Sequence, residues 1–380
     1  MTTKEEDERY QTLALAAYND SSKMGAFISE ISENPAPLFA DALRRLTATC
    51  DHVDDPVRPP ANIVLLFEPS PAFDAFTNVQ GRSITFRKGV ISLVRDIAEL
   101  HCSYEALYAF DGTVVRPPAL THAEIVSVVS ESVKEFAYNK EGVWREPKVL
   151  RDCYSRRLEW DQSTSDTRKT SVQFFARLIV TICFIMAHEV GHIIEGRLIS
   201  NPFRRKARRK DEELKADRIA ARAILDYISI PPTIFAQTPP APSDDALQSF
   251  LWAGQWYQEQ FLHWREGRLE DLLQAIAGSG NSKVAIFASE HSATRSYCLA
   301  MLSLFFNVFR LVELARERSG SRFSNDYPDS DERYDNLRVA CLAHPLSPSD
   351  LFSAPHGRRG PLDDEHRMFR KLFEGGGLIS

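Results

Sequence analysis

Residues 171–196 read SVQFFARLIVTICFIMAHEVGHIIEG, and the reading of this stretch decides the rest. Wound as a helix it is apolar on most faces, which marks a helix buried all round. Near its end stand His188, Glu189 and His192, spaced His-Glu-x-x-His. Residues four apart lie on one helix face, so both imidazoles can reach one metal ion from a single rigid element. Glu189 is turned about 100° away around the axis. It would stand beside the metal, placed to take a proton from a water there.

A metal held by two histidines needs a third protein ligand if one position is to stay open for water. Downstream lies Glu213-Leu214-Lys215-Ala216-Asp217, on a helix expected over about 211–228. Glu213 and Asp217 are again four apart. Glu213 can complete a His₂Glu set. Asp217 can accept a hydrogen bond from a ligand imidazole, fixing its tautomer and raising its basicity. Glu212 is the nearest rival. Glu195 ranks behind it, because a carboxylate three residues past a helical ligand points along the helix surface. A third histidine six residues past His192 is ruled out, since that position is Leu198.

The same hydrophobic stretch raises the question of a membrane. Residues 172–194 carry Gln173, Arg177, His188, Glu189 and His192, and residues 297–315 carry Asn307, Arg310 and Glu313. Charges inside a span are rare and costly. Both segments therefore read as buried helices, with no membrane span expected.

The wider composition agrees with a globular chain. Of 380 residues, 43% are hydrophobic and 26% charged, which excludes wholesale disorder and collagen-like repeats. The formal net charge of −6 argues against a dedicated nucleic-acid binder. A local exception is the basic run at 204–210 (Arg204, Arg205, Lys206, Arg208, Arg209, Lys210), read as a connector that could touch an anionic partner. The six cysteines form no CxxC pair, so buried thiols are expected, with no thiolate metal site or disulfide framework. The start, MTTKEEDERY, is too polar for a signal peptide, and a cytoplasmic location is expected.

Along the chain, residues 4–49 read as two or three amphipathic helices, and Pro56, Pro59 and Pro60 mark a linker. The apolar run at 62–67 reads as a buried strand, and the alternating run at 82–87 as an edge-type strand. Helices are expected over 89–110, 121–138, 245–277 and 293–317, with a proline-rich loop at 231–242. The last 60 or so residues are polar and rich in Pro and Gly.

HExxH followed by ExxAD resembles the gluzincin zinc peptidases, notably the group of the heat-shock membrane proteases, the CAAX prenyl proteases and their soluble relatives. It is also similar to the phage-exclusion and repressor-cleaving peptidases of bacteria. Asp74-Ala75-Phe76-Thr77, Gly81-Arg82-Ser83-Ile84-Thr85-Phe86 and Gly89-Val90-Ile91 resemble that family's substrate-binding hairpin, with Asp74 where the family has Asn. His291-Ser292-Ala293-Thr294-Arg295 is similar to its downstream His-Pro…Arg segment, without the Pro, and His344-Pro345 is an alternative match.

The resemblance implies an α+β, mostly helical, zincin-like catalytic domain with a small sheet packed on the HExxH helix. It implies Zn²⁺ held by His188, His192 and Glu213, with Asp217 behind them. It implies endopeptidase activity on a protein or peptide substrate, by Glu189-assisted attack of a zinc-bound water. His291 or Arg295 would hold the oxyanion, and Ser83, Ile84, Thr85 and Phe86 would form the edge strand along which substrate lies. The expected layout is a helical N-terminal segment (1–60), a catalytic domain (61–317) and a polar C-terminal extension (318–380). The competing reading is a zinc-binding regulatory or interaction module that cleaves nothing.

Overall fold

The computed structural model describes residues 4–50, 63–72, 75–80, 82–109, 120–121, 123–128, 131, 147–163, 170–196, 205–228, 328–343, 353–354 and 358–359. Over these the chain is α+β, mostly helical, with a small three-stranded sheet. The helices are α1 (Lys4–Asn19), α2 (Met24–Glu33), α3 (Ala36–Cys50), α4 (Lys88–Ala109), α5 (Lys148–Ser163), α6 (Thr170–Gly196), α7 (Arg205–Ile228) and α8 (Ser330–Ala343). The sheet comprises β1 (Val64–Glu68), β2 (Ala75–Asn78) and β3 (Ser83–Arg87). A two-residue ladder, β4 (Ser353–Ala354) with β5 (Arg358–Arg359), lies outside it.

The apolar stretch forms α6, the axis of the molecule. Its segment Phe174–Ile194 is long and apolar enough to cross a membrane by length and composition, and every residue of it but His192 is buried. An apolar helix hides its faces, and here protein covers nearly all of them. The second apolar segment of the sequence, 297–315, lies outside the described residues.

The sheet order is β1-β3-β2, with β1 parallel and β2 antiparallel to β3. Residues 82–87 were expected at an edge; Ser83–Arg87 instead form the middle strand, paired on both sides. The alternation Ser-Ile-Thr-Phe suggests one wet face, yet Thr85 is only 5% exposed. It lies between Leu66 and Phe76 in register, so its neighbours across both ladders shield it. The hairpin itself is present, and its outer member is β2. Among the described residues β2 has a strand on one side only.

From β3 the chain enters α4 directly, and Gly89 makes this possible. A Cβ at 89 would come within 2.1 Å of the Pro71 carbonyl oxygen. The Gly89 N–H donates to Ser70 O at 3.3 Å, tying the end of the β1 segment to the start of α4.

The boundary expected near residue 60 does not divide the core. Buried residues of α1, α2 and α3 belong to the same cluster as those of the sheet, α4 and α6. Phe27 of α2 meets Phe175 of α6 edge-on at 4.9 Å, and Phe39 of α3 lies 4.4 Å from Phe86 and 5.0 Å from Phe67. Within 318–380, α8 packs on α7 and buries Tyr334 and Leu337 in that cluster.

Helix α5 is fixed to α4 by a buried ion pair, Arg157 Nη2 to Glu99 Oε1 at 2.7 Å. Ser103 and Cys153 add hydrogen bonds to Glu99, so the buried charges are well paired. Cys102, Cys153 and Cys183 are buried and form no disulfide.

Helix α7 is described from Arg205, so Arg205, Lys206, Arg208, Arg209 and Lys210 belong to its first turns and not to a connector, while Arg204 lies outside the described residues. Arg and Lys are good helix formers, and propensity prevails over the unfavourable dipole at that end. Helices α6 and α7 touch at Gly191, where a Cβ would stand 2.9 Å from Ala216 Cα and 3.2 Å from its Cβ. Gly191→Ala should therefore wedge the two helices apart. We expect a stability loss of about 1–3 kcal/mol in denaturant titration, with weaker metal retention.

Candidate metal centre

The last turns of α6 and the third and fourth turns of α7 bring the motif residues together. His188 Nε2 and His192 Nε2 lie 3.0 Å apart. Glu213 Oε2 is 3.3 Å from His188 Nε2, and Glu213 Oε1 is 3.5 Å from His192 Nε2. These three residues form a partly buried group that could hold a metal ion. The i,i+4 spacing on α6 and the Gly191–Ala216 contact produce this convergence. The rival Glu212 is not part of the group, and its Oε1 is buried without a hydrogen-bond partner.

Asp217 stands behind His188. Its Oδ1 is 2.9 Å from His188 Nδ1. Since Asp217 can only accept, the network assigns the Nδ1 proton to this bond and leaves the Nε2 lone pair towards the group. Asp217 is fully buried.

The partner that compensates this charge is Arg333 of α8, which sequence reasoning missed. Its Nε donates to Asp217 Oδ2 at 2.8 Å and its Nη2 to Oδ1 at 2.6 Å, a bidentate pair. Its Nη1 lies 3.9 Å from Glu213 Oε2. Two neighbours on the same helix fasten α8 to α7: Glu332 pairs with Lys210, and Asn336 Nδ2 donates to Leu214 O at 2.6 Å. The only sequence signal near it is Pro328, five residues before Arg333, and Tyr327 stands where a His-Pro pair would have marked it.

Glu189 faces the sheet. Its carboxylate Oε2 accepts a hydrogen bond from Thr77 Oγ1 at 2.5 Å, across to β2. Ser83, Ile84, Thr85 and Phe86 lie in the middle strand, so among the described residues the sheet edge near Glu189 belongs to β2. His291, Arg295 and Asp74 lie outside the described residues, as does the side chain of Glu195.

The charges are strongly coupled. Burial favours the neutral form of His188, but hydrogen bonds to Asp217 and Glu213 and the Asp217 charge prevail and raise it to about 9. Burial also opposes ionisation of Glu213 and Asp217. The two histidines hold Glu213 below the usual carboxylate range, and Arg333 with His188 does the same for Asp217. Burial raises the Glu189 carboxyl, against the pull of His188, His192 and the Thr77 hydroxyl.

No protein-family model, no curated protein and no solved structure matches the chain.

Two predictions follow from this geometry. Arg333→Met removes the partner of a fully buried carboxylate, so the fold should lose about 3–5 kcal/mol in denaturant titration. Metal affinity, read by chelator competition, should fall about 10- to 100-fold as Asp217 loses its orientation. The second concerns pH. A folded-state His188 raised from 6.5 to about 9 stabilises the chelator-stripped protein fully below about 6.5, and this contribution fades as pH rises through 9. Metal must displace the same proton, so metal affinity should climb across that window while stability of the stripped protein falls. Calorimetric titrations at stepped pH measure both.

Proposed function

We propose that this chain is a zinc-dependent endopeptidase of zincin-like architecture. The observation that carries the reading is the spacing of the donor atoms. Ligands about 2.0–2.1 Å from a tetrahedral zinc lie about 3.3 Å from one another. His188 Nε2 and His192 Nε2 lie 3.0 Å apart, Glu213 brings Oε2 to 3.3 Å of the first and Oε1 to 3.5 Å of the second, and one ligand atom from each residue lies within 4.8 Å of the others. Two neutral nitrogens and one carboxylate oxygen also match the preference of zinc for mixed N/O sets with one open position.

When bound, zinc would polarise the scissile carbonyl and lower the pKa of an attacking water towards about 7. The chain supplies the remaining chemistry. Glu189 accepts the water's proton and later hands it to the leaving amine. The buried setting of Glu189 raises its basicity towards that task. Asp217 and Arg333 hold the His188 imidazole in one tautomer and one direction.

An extended peptide would lie antiparallel or parallel along β2, pairing through main-chain hydrogen bonds with little regard for sequence. Phe76, 39% exposed on β2 beneath the Arg87 guanidinium, would meet a substrate side chain there. This moves the substrate edge from residues 83–86 to 75–78.

The test is metal analysis paired with a single substitution. The purified chain should carry about one zinc. Glu189→Gln should keep the metal and lose hydrolysis by at least about 100-fold. N-terminal labelling of cells expressing wild type or Glu189→Gln would then name the substrate. Equal sets of new termini in both, with zinc still bound, would leave the non-proteolytic zinc module as the better reading.

A further inference from the structure

Thr77 connects the strand edge to the base. In β2 the half-buried positions Ala75 and Thr77 alternate with exposed Phe76 and Asn78, so the Thr77 side chain turns away from the exposed face. Its Oγ1 lies 2.5 Å from Glu189 Oε2 and 3.2 Å from the Glu189 main-chain oxygen. A hydroxyl has one proton to donate. The short contact is of the length that charge-assisted O–H···O⁻ bonds take, so the carboxylate receives it. The carbonyl contact is longer and secondary.

A glutamate side chain has three torsions and would otherwise sample several directions. Fixing Oε2 fixes where the other oxygen points. The anchor is stiff, because a β-branched residue in a strand keeps a narrow range of χ1. Nothing in the HExxH or ExxAD spacing requires a hydroxyl at position 77. The bond spans 112 residues of sequence and exists only because β2 packs on α6.

We propose that Thr77 is a positioning residue that holds the Glu189 carboxylate in its reacting orientation and ties it to the strand on which a peptide pairs. The proposal rests on the reading of Glu189 as the base. Its consequence is specific: order imposed on β2 by a bound peptide passes through one hydroxyl to the group that moves the proton. Binding along the strand edge uses main-chain groups and does not need that hydroxyl. Loss of the hydroxyl should therefore appear in kcat and not in KM, because misalignment of a reacting group affects the chemical step.

The experiment uses the full zinc-loaded chain on a random-sequence library of internally quenched peptides, with kinetics on one cleaved member. Thr77→Val, which keeps shape and removes the donor, should retain zinc and lower kcat about 10- to 100-fold, with KM within about twofold. Thr77→Ser should restore most of the rate. Should Thr77→Val fail to fold by circular dichroism, Thr77→Ala serves for the same comparison. A wild-type kcat in the Val or Ala variant, a loss confined to KM, or a Ser variant as impaired as Val would overturn the role of Thr77 and leave Glu189 untouched. A Glu189→Gln variant that cleaves at the wild-type rate, or a wild type that cleaves nothing, would overturn the base reading and Thr77 with it.

Discussion

One buried carboxylate holds the site together. Asp217 is fully enclosed, and its two oxygens serve His188 on α6 and Arg333 on α8 at once. A lone buried charge is untenable, so its partners are fixed in place by the cost of losing them. Three helices distant in sequence are thereby locked in one arrangement. The imidazole that would meet a metal is oriented by the same carboxylate that anchors α8.

On the other side of α6 the constraint runs to the sheet. His188 and Glu189 are adjacent in sequence but turned about 100° apart around the helix. One therefore faces the acidic residues of α7, and the next faces Thr77 of β2. One helical turn thus sends an imidazole towards the possible metal site and a carboxylate towards the sheet, because different elements pack on its two flanks. Gly191 completes this geometry by letting the α7 backbone come close at Ala216. A larger residue there would displace Glu213 from the histidines.

What the sequence could reveal was what helical spacing encodes. His188 with His192, and Glu213 with Asp217, are i,i+4 pairs whose shared faces need no tertiary information. The two helices that carry them were legible for the same reason; the strands near 64 and 83 showed as an apolar and an alternating run, but the strand expected to be buried at 62–67 leaves Val64 and Leu66 exposed. Lateral strand order was not. Alternation in residues 82–87 reports which side chains share a face, but not how many strands lie alongside. The parallel approach of β1 made β3 central and left β2 outermost among the described residues. Arg333 was hidden for another reason: an arginine in a polar segment reads as solvated until its buried partner, 116 residues away, is known. The docking of α1–α3 was equally hidden, since an amphipathic pattern shows that a face is buried and not against what.

The charge balance of the centre carries the argument for a cation further than geometry alone. Glu189, Glu213 and Asp217 bring three carboxyl groups into one small, partly buried region, and Arg333 is the fixed cation among them. With all three ionised, about two negative charges are left over, which is the charge of one divalent ion. In the stripped protein protons meet the same imbalance. The carboxylates beside His188 accordingly raise it to about 9 against its burial, burial raises the Glu189 carboxyl, and Glu213 and Asp217 stay low beside their histidines and arginine. A dication and a proton then compete for the same electrostatic role. A donor set that satisfied its own charges would have little reason to take up either.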